Sequence, residues 1–198
     1  MTAHDDDGDV DLFGDPLPAP VPGAATRGRR GAVPAAQWQA WLDDAALVER
    51  YRASICWRGG DACAYWLGTL SSTGHGKLRV GSRSDGTRRV VTAHVFGYQL
   101  AHGVLADDAG DVVVGHRCDE PACQRPQHWE LTTRAGNDAD YRRRKHQWPL
   151  ADVRGARGRA VALRDAIRAA LAVDDDVEVA IAAADAAGRP PPPADTLF

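Results

Sequence analysis

Apolar residues recur every three or four positions in the first regular stretch of the chain. This spacing predicts a single helix over residues 34–53, with Pro34 in the first turn, where helices tolerate proline. The recurring apolar positions are Trp38, Trp41, Leu42, Ala45 and Val48. The pattern then changes, because short apolar runs alternate with turn residues over 55–95 and predict a β-rich region. Its clearest strands are predicted at 77–80 and 88–92.

The second half of the chain returns to helical periodicity. A short helix is predicted over 94–103, with Val95, Tyr98 and Leu100 facing inward, and a strand over 111–115. A helix over 133–145 follows, and Thr132 or Thr133 is its N-cap. An arginine-rich helix is predicted over 158–172, and an alanine-rich one over 177–187. The apolar stripe of the arginine-rich helix consists of Leu163, Ile167 and Leu171.

Both ends of the chain differ in composition from the middle. Residues 1–33 carry a run of aspartates, four spaced prolines and a basic cluster, so they are predicted to be disordered, and 189–198 form a flexible tail. The acidic start lacks the apolar segment of a secretory signal, and no stretch approaches the roughly 20 apolar residues that span a bilayer. We therefore expect a cytoplasmic protein with no membrane partner, in which cysteines serve as thiols or metal ligands.

Composition indicates a core that is short of large side chains. Hydrophobic residues make up 44% of the chain, but many are alanine, and there are only three Phe and one Met. A small domain with so little core usually needs a metal or disulfides for stability. The tryptophans are accordingly expected in the core rather than as stacking platforms for bases. These are Trp38, Trp41, Trp57 and Trp66.

A compact group of cysteine and histidine residues supplies candidate metal ligands. Cys118, Cys123 and His128 lie at short spacing in a polar segment that contains Pro121 and Pro126. Tetrahedral structural zinc takes four such ligands, and either Cys63 or Cys56 can supply the fourth. The alternative is that the two close cysteines are small core residues or a disulfide. A polar, proline-rich segment makes a poor core, so zinc is favoured.

Two polar residues beside this group suggest hydrolytic chemistry. His116 ends a predicted strand, and a neutral imidazole can take a proton from water near neutral pH. Asn137 offers an amide oxygen, a hard ligand that suits a Mg²⁺-type ion bound alongside phosphate oxygens. Either residue alone is more often solvated surface. Their spacing around the cysteines is what favours a site for phosphodiester hydrolysis.

The spacing His116-x-Cys118-x4-Cys123-x4-His128-x8-Asn137 resembles the ββα-metal (His-Me finger) nucleases, also called HNH endonucleases. It is most similar to their zinc-stapled branch of intron-encoded homing and phage enzymes. The resemblance covers about residues 55–145. It implies that His116 is the general base, that Asn137 binds the catalytic divalent ion, and that the fourth zinc ligand is Cys63 rather than Cys56.

The resemblance also implies an architecture. We expect an α+β fold in which a small β-meander and a ββα-metal unit with structural zinc are flanked by helices and disordered termini. The nuclease domain would span 34–148, and basic and alanine-rich helices would span 149–188. Three departures from the family pattern, Ala64, Arg125 and Trp129, bear on local packing and DNA contacts more than on chemistry.

Double-stranded DNA is the substrate that the resemblance implies. The family holds the scissile phosphate with an arginine, for which Arg88, Arg79 and Arg89 are all candidates, with Arg88 placed first. Arg79 and Arg89 are expected to contact DNA from a β-ribbon. Because homing relatives are often dimeric, the resemblance also leaves open a homodimer that cuts both strands.

Charge distribution supports the same substrate. The net charge of −3 decides nothing, but ten Lys/Arg against four Asp lie between residues 134 and 168. Such a basic surface contacts phosphates, and Arg142, Arg143 and Arg144 are its expected centre. Two alternatives remain: a zinc-stabilised module that binds DNA without cutting, which needs neither His116 nor Asn137, and a zinc domain for protein interactions, which needs no affinity for DNA.

Overall fold

A computed structural model describes residues 33–105 and 111–191. These ranges contain six α-helices: α1 (Ala35–Leu42), α2 (Ala45–Ala53), α3 (Ala93–His102), α4 (Arg134–Arg144), α5 (Gly155–Ala172) and α6 (Val177–Ala186). They also contain seven strands: β1 (Ile55–Cys56), β2 (Tyr65–Trp66), β3 (Thr69–Leu70), β4 (Gly76–Val80), β5 (Arg89–Thr92), β6 (Val112–His116) and β7 (Trp129–Thr133). The predicted α+β class is confirmed. Apart from Val33, the predicted disordered N-terminal segment lies outside the described residues, as does the predicted tail beyond 191.

The strands form three small antiparallel sheets. β1 pairs with β2, β3–β4–β5 form the predicted meander, and β6 pairs with β7. The hairpin β6–β7 is followed directly by α4, whose N-cap Thr133 accepts a hydrogen bond from the Gly136 amide. The loop that joins β6 to β7, residues 117–128, carries three of the predicted metal ligands. The predicted site residues His116 and Asn137 lie on β6 and α4 of this unit.

The helix predicted over 34–53 is wrong in one respect, because the chain forms two helices there. The Asp44 carboxylate accepts hydrogen bonds from the amides of Ala46 and Leu47 and so caps α2. An aspartate satisfies the free amides at a helix start better than it continues a helix, so the chain breaks at Asp43–Asp44.

One hydrophobic core lies between α1, α2, α3 and the meander. Trp66 and Phe96 are its largest fully buried side chains. Gly97 lets α3 approach α2, because a Cβ at this position would lie 2.0 Å from Tyr51 Oη. The most buried face of α3 therefore contains Ala93, Phe96 and Gly97. Of the residues predicted to face inward, Leu100 packs against this core, and Val95 and Tyr98 are not among the residues packed there. All three are only half-buried.

A second core joins the C-terminal helices to the rest of the fold. Leu163 and Ile167 of α5 pack with Ile181 of α6 against Tyr65 and Ala122. The predicted stripe is wrong at its last position, since Leu171 is 54% exposed and Ala170 is buried instead. At about 100° per residue, a residue seven positions after Leu163 points nearly the same way, whereas one eight positions later is turned about 80° away.

The tryptophans divide between the core and the surface. Trp41 and Trp66 are buried, and Trp38 packs against the first core, as predicted. Trp57 is 51% exposed, so its predicted place in the core is wrong. It follows β1, a strand of two residues, at the point where the chain leaves the core. Among the described residues, no helix has both the length and the apolar character needed to cross a membrane.

Candidate metal centre and adjoining cavity

Four of the predicted ligands converge on one point. Cys63, Cys118, Cys123 and His128 each offer one donor atom, and these atoms all lie within 4.8 Å of one another. Cys56 is not part of the group, and burial raises the pKa of its thiol. Of the two candidates for the fourth ligand, the fold therefore brings Cys63 to the other three. The group can hold a metal ion.

The distances within the group suit tetrahedral coordination. His128 Nδ1 lies 3.5 Å from Cys123 Sγ and 3.6 Å from Cys63 Sγ. A tetrahedral ion with metal–sulfur bonds of about 2.3 Å and metal–nitrogen bonds of about 2.0–2.1 Å separates the two donors by about 3.6 Å. The other ring nitrogen, Nε2, lies 3.1 Å from Asp61 Oδ1. A carboxylate on the distal nitrogen commonly orients a metal-binding histidine and leaves Nδ1 for the ion.

Arg125 in the 117–128 loop holds the ligands in place. Arg125 donates from its guanidinium to the backbone carbonyls of Arg58 and Ala62, and so ties this loop to the segment that carries Cys63. Its backbone amide donates to Cys123 Sγ at 3.4 Å. Arg125 departs from the family pattern noted above, and here its side chain connects the two ligand-bearing segments.

The pKa values of the thiols favour metal binding. Hydrogen bonds from the thiols of Cys118 and Cys63 hold the pKa of Cys123 well below its ordinary value, against the opposing effect of burial. The same cluster raises the pKa of Cys118. The thiolate is the form that binds metal, so one ligand is deprotonated readily and the others lose their protons when an ion arrives.

His116 is fixed by a backbone carbonyl of the same loop. Its Nε2 lies 3.0 Å from the carbonyl oxygen of Cys123, which also accepts from Gln124 Nε2 and Trp129 Nε1. A carbonyl can only accept, so Nε2 carries the proton and Nδ1 keeps its lone pair. Burial lowers the pKa of His116 to about 4, so the imidazole is neutral at neutral pH. His116 is therefore an oriented proton acceptor directly beside the metal centre.

His116 and Asn137 line the same cavity, which has a volume of about 510 Å³. Asn137 lies on α4, and its side chain makes no hydrogen bond within the part of the chain that the structure describes. Gly115 permits the close contact between β6 and α4, because a Cβ there would be 3.3 Å from Asn137 Oδ1. His116 and Asn137 therefore lie close together in space, as the sequence predicts.

Arginines also line the cavity, but Arg88, the residue predicted to hold the scissile phosphate, is not among them. The lining arginines are Arg144, Arg154 and Arg157. Arg79 pairs with Val90 and Arg89 with Val80 across β4–β5. Side chains alternate between faces along a strand, so Arg79 and Arg89 point to opposite faces of the meander.

Ion pairs occupy part of the predicted basic surface. Arg143 pairs with Asp140, and Arg144 lies 3.3 Å from Asp119, whereas Arg142 is exposed and unpaired among the described residues. Arg159, counted in the basic surface, is buried and faces carboxylates, so its inclusion was wrong. Arg157 is exposed and forms no ion pair in the described ranges.

Two functional candidates escape the sequence pattern. His75 precedes β4 and lines the cavity, and His94 is the second residue of α3. Their ligand nitrogens lie within 4.8 Å of that of His116. The three residues are far apart in sequence, and the only local signal is that His94 occupies an inward position of a helix.

Comparison with known proteins gives no relative from which to carry over a function. No protein-family model, no curated protein and no solved structure matches the chain. The functional argument therefore rests on the residues and their geometry.

Proposed function

We propose that this protein is a metal-dependent endonuclease that hydrolyses phosphodiester bonds of double-stranded DNA, of the ββα-metal type that its sequence resembles. One observation carries the proposal: His116 and Asn137 line one cavity, and His116 Nδ1 and the Asn137 amide have no hydrogen-bond partner among the described residues. The hairpin β6–β7 with α4 supports it further, since this unit brings the two side chains together.

The Cys₃His group would hold a structural zinc ion. Thiolate and imidazole ligands suit zinc, and four protein ligands leave no open position for catalysis. The zinc would fix the loop of residues 117–128, and the Cys123 carbonyl in that loop orients His116. The structural ion and the base are thus coupled through a single hydrogen bond of 3.0 Å.

His116 would act as the general base. Its neutral imidazole takes a proton from the attacking water at Nδ1, while Nε2–H stays bonded to the Cys123 carbonyl and holds the ring orientation. Asn137 would hold a Mg²⁺-type ion through its amide oxygen, and its lack of other hydrogen bonds fits that role. When bound, such an ion supplies charge stabilisation for the scissile phosphate and the leaving oxygen.

Arginines on α5 offer a path for the DNA backbone. Arg157 lines the cavity, and Arg164 and Arg168 lie seven and eleven residues further on, which places them on one face of the helix. All three line a depression beside β3. We assign the contact to the scissile phosphate to Arg157 in place of Arg88. The homodimer that the resemblance leaves open stays a prediction.

A cleavage experiment that does not depend on knowing the target tests the proposal. Zinc-loaded protein is incubated with a library of duplexes that carry a randomised segment, with and without Mg²⁺, and new ends are captured and sequenced. We expect Mg²⁺-dependent ends from the wild type, none from Asn137→Ala, and wild-type yield from His102→Ala, a surface control. Retained DNA binding without new ends would instead support a module that binds and does not cut.

A further inference from the structure

Three histidines from separate elements meet beside the metal centre. His75 precedes β4, His94 lies in the first turn of α3, and His116 ends β6. The ring centroids of His94 and His116 are 4.4 Å apart, and that of His75 is 5.2 Å from His94 and 6.0 Å from His116. One nitrogen of each ring lies within 4.8 Å of the others.

The hydrogen bonds of these rings leave lone pairs available at the meeting point. His94 Nε2 lies 3.1 Å from the Val114 carbonyl and must donate to it, which leaves Nδ1 as an acceptor. His94 Nδ1 is buried and has no hydrogen-bond partner among the described residues. His116 is held in the same way by the Cys123 carbonyl, so its Nδ1 is also free.

His75 can complete the set. Its Nδ1 lies 2.9 Å from Thr73 Oγ1, which in turn lies 3.0 Å from Ser71 Oγ. Ser71 Oγ accepts from the backbone amides of Thr73 and His75, so its hydroxyl donates to Thr73 Oγ1. The second lone pair of Thr73 Oγ1 can accept from His75 Nδ1–H, which leaves His75 Nε2 with a lone pair. Burial lowers the pKa of His75 to about 4 and that of His94 well below its usual value, so both rings are neutral.

Neutral imidazoles in a group without a carboxylate suit one class of ion. Imidazole suits zinc, copper and nickel, whereas Mg²⁺ prefers oxygen ligands. An orphaned buried acceptor is costly, and an ion bound there would satisfy it. Lys77 lies close enough to disfavour protonation of His75 and His94, and it also reduces affinity for any cation. The site would therefore be weaker than the Cys₃His centre.

We propose that His75, His94 and His116 form a second metal site that binds a divalent transition-metal ion such as Zn²⁺, Co²⁺ or Ni²⁺. Three protein ligands leave a coordination position open toward the cavity. A consequence rests on the proposed function: the ion takes the His116 lone pair that would accept the proton from water. Occupation of the site would therefore inhibit cleavage.

Cobalt binding tests the site without reference to activity. Protein with zinc in the Cys₃His centre is titrated with Co²⁺, and bound metal is measured by elemental analysis after gel filtration. We expect one added equivalent whose X-ray absorption shows nitrogen and oxygen ligands and no sulfur. Failure to bind a further equivalent, or sulfur in its coordination shell, would overturn the proposal.

Matched variants locate the added ion. His75→Gln and His94→Gln should each weaken binding of the second equivalent by at least about tenfold. Even the loss of a residue that only hydrogen-bonds to a metal ligand lowers metal affinity by about tenfold or more. His102→Gln, an exposed histidine of α3, should bind as the wild type does. Retention of the first metal equivalent shows that each variant is folded. Unchanged cobalt affinity in folded His75→Gln and His94→Gln would refute the assignment.

Cleavage assays separate the two proposals. At a Co²⁺ concentration that fills the second site, Mg²⁺-supported cleavage by wild type and by His102→Gln should slow at least tenfold. The same Co²⁺ concentration should slow cleavage by His75→Gln much less. A second equivalent bound by a protein that cuts no DNA would end the nuclease proposal and leave the metal site standing. Equal inhibition of His75→Gln would refute the inhibitory role.

Discussion

Replacing Arg159 should destabilise the protein far more than replacing a neighbouring arginine on the same helix. Arg159 lies on α5, with its side chain 6% exposed, and contacts Glu120 and Asp185 at 2.7 Å and Asp152 at 3.5 Å. These contacts join α5, α6, the 149–154 segment and the 117–128 loop. The perturbation is Arg159→Met, which keeps an unbranched side chain and removes the charge.

The magnitude follows from which carboxylates lose their partner. Asp152 keeps Arg154 at 2.7 Å, and Asp185 keeps Arg189 at 3.0 Å. Glu120, only 2% exposed, retains just the Ala122 amide at 3.5 Å among the described residues. Orphaning one member of a buried pair costs about 3–5 kcal/mol. Burial raises the pKa of Glu120 to about 7, so protonation relieves part of the cost, and we expect a loss of about 3 kcal/mol.

Urea and thermal unfolding of the zinc-loaded protein measure this loss. For a chain of this size, about 3 kcal/mol corresponds to a midpoint lower by roughly 6–12 °C. The control is Arg164→Met, the same substitution on the same helix, where the pair with Asp165 is partly exposed and its loss should cost about 0–1 kcal/mol. Adding Glu120→Gln to Arg159→Met should recover at least about 1 kcal/mol. Equal destabilisation by Arg159→Met and Arg164→Met would refute the reasoning.

Two further predictions concern the metal centre and the DNA contact. In Cys63→Ser, no zinc should remain bound after dialysis, and the free energy of unfolding should fall by about 3 kcal/mol or more, since metal binding contributes to folding. Cys56→Ser should retain the zinc. Zinc loss in Cys56→Ser alone would reverse the ligand assignment. Arg157→Ala should reduce the slope of log affinity for DNA against log salt concentration by about 0.9, the effect of one lost phosphate contact. The control is Arg52→Ala, which should leave the slope unchanged; Arg52 is exposed and unpaired in the described part of the chain. Equal slopes for wild type and Arg157→Ala would remove Arg157 from the DNA path.

The features that local sequence determines were the ones that could be predicted. The spacing of Cys118, Cys123 and His128 constrains a single loop, so their convergence followed from the sequence. The N-cap at Thr133 was predictable for the same reason, because a cap depends on its immediate neighbours. The break between α1 and α2 carried a comparable signal in Asp43–Asp44, and the continuous apolar period obscured it.

Features that depend on tertiary packing could not be predicted in this way. The group of His75, His94 and His116 exists only because β4, α3 and β6 meet. The burial of Arg159 depends on carboxylates contributed by the 117–128 loop and by α6. A count of charges along the chain cannot show these contacts, so it placed Arg159 on the surface. The inward face of α3 was set by the contact of Gly97 with Tyr51, which no periodicity within the helix indicates.

The most direct test of the central claim is the single-turnover cleavage rate of His116→Ala on a duplex that the wild type cuts. The protein is loaded with zinc and saturated with DNA and Mg²⁺, so that only chemistry is measured. Because the proposed role of His116 is general-base catalysis, we expect the rate to fall by about 10²–10⁴-fold, with zinc content and DNA affinity retained. His116→Ala that cuts within about threefold of the wild-type rate would contradict the account.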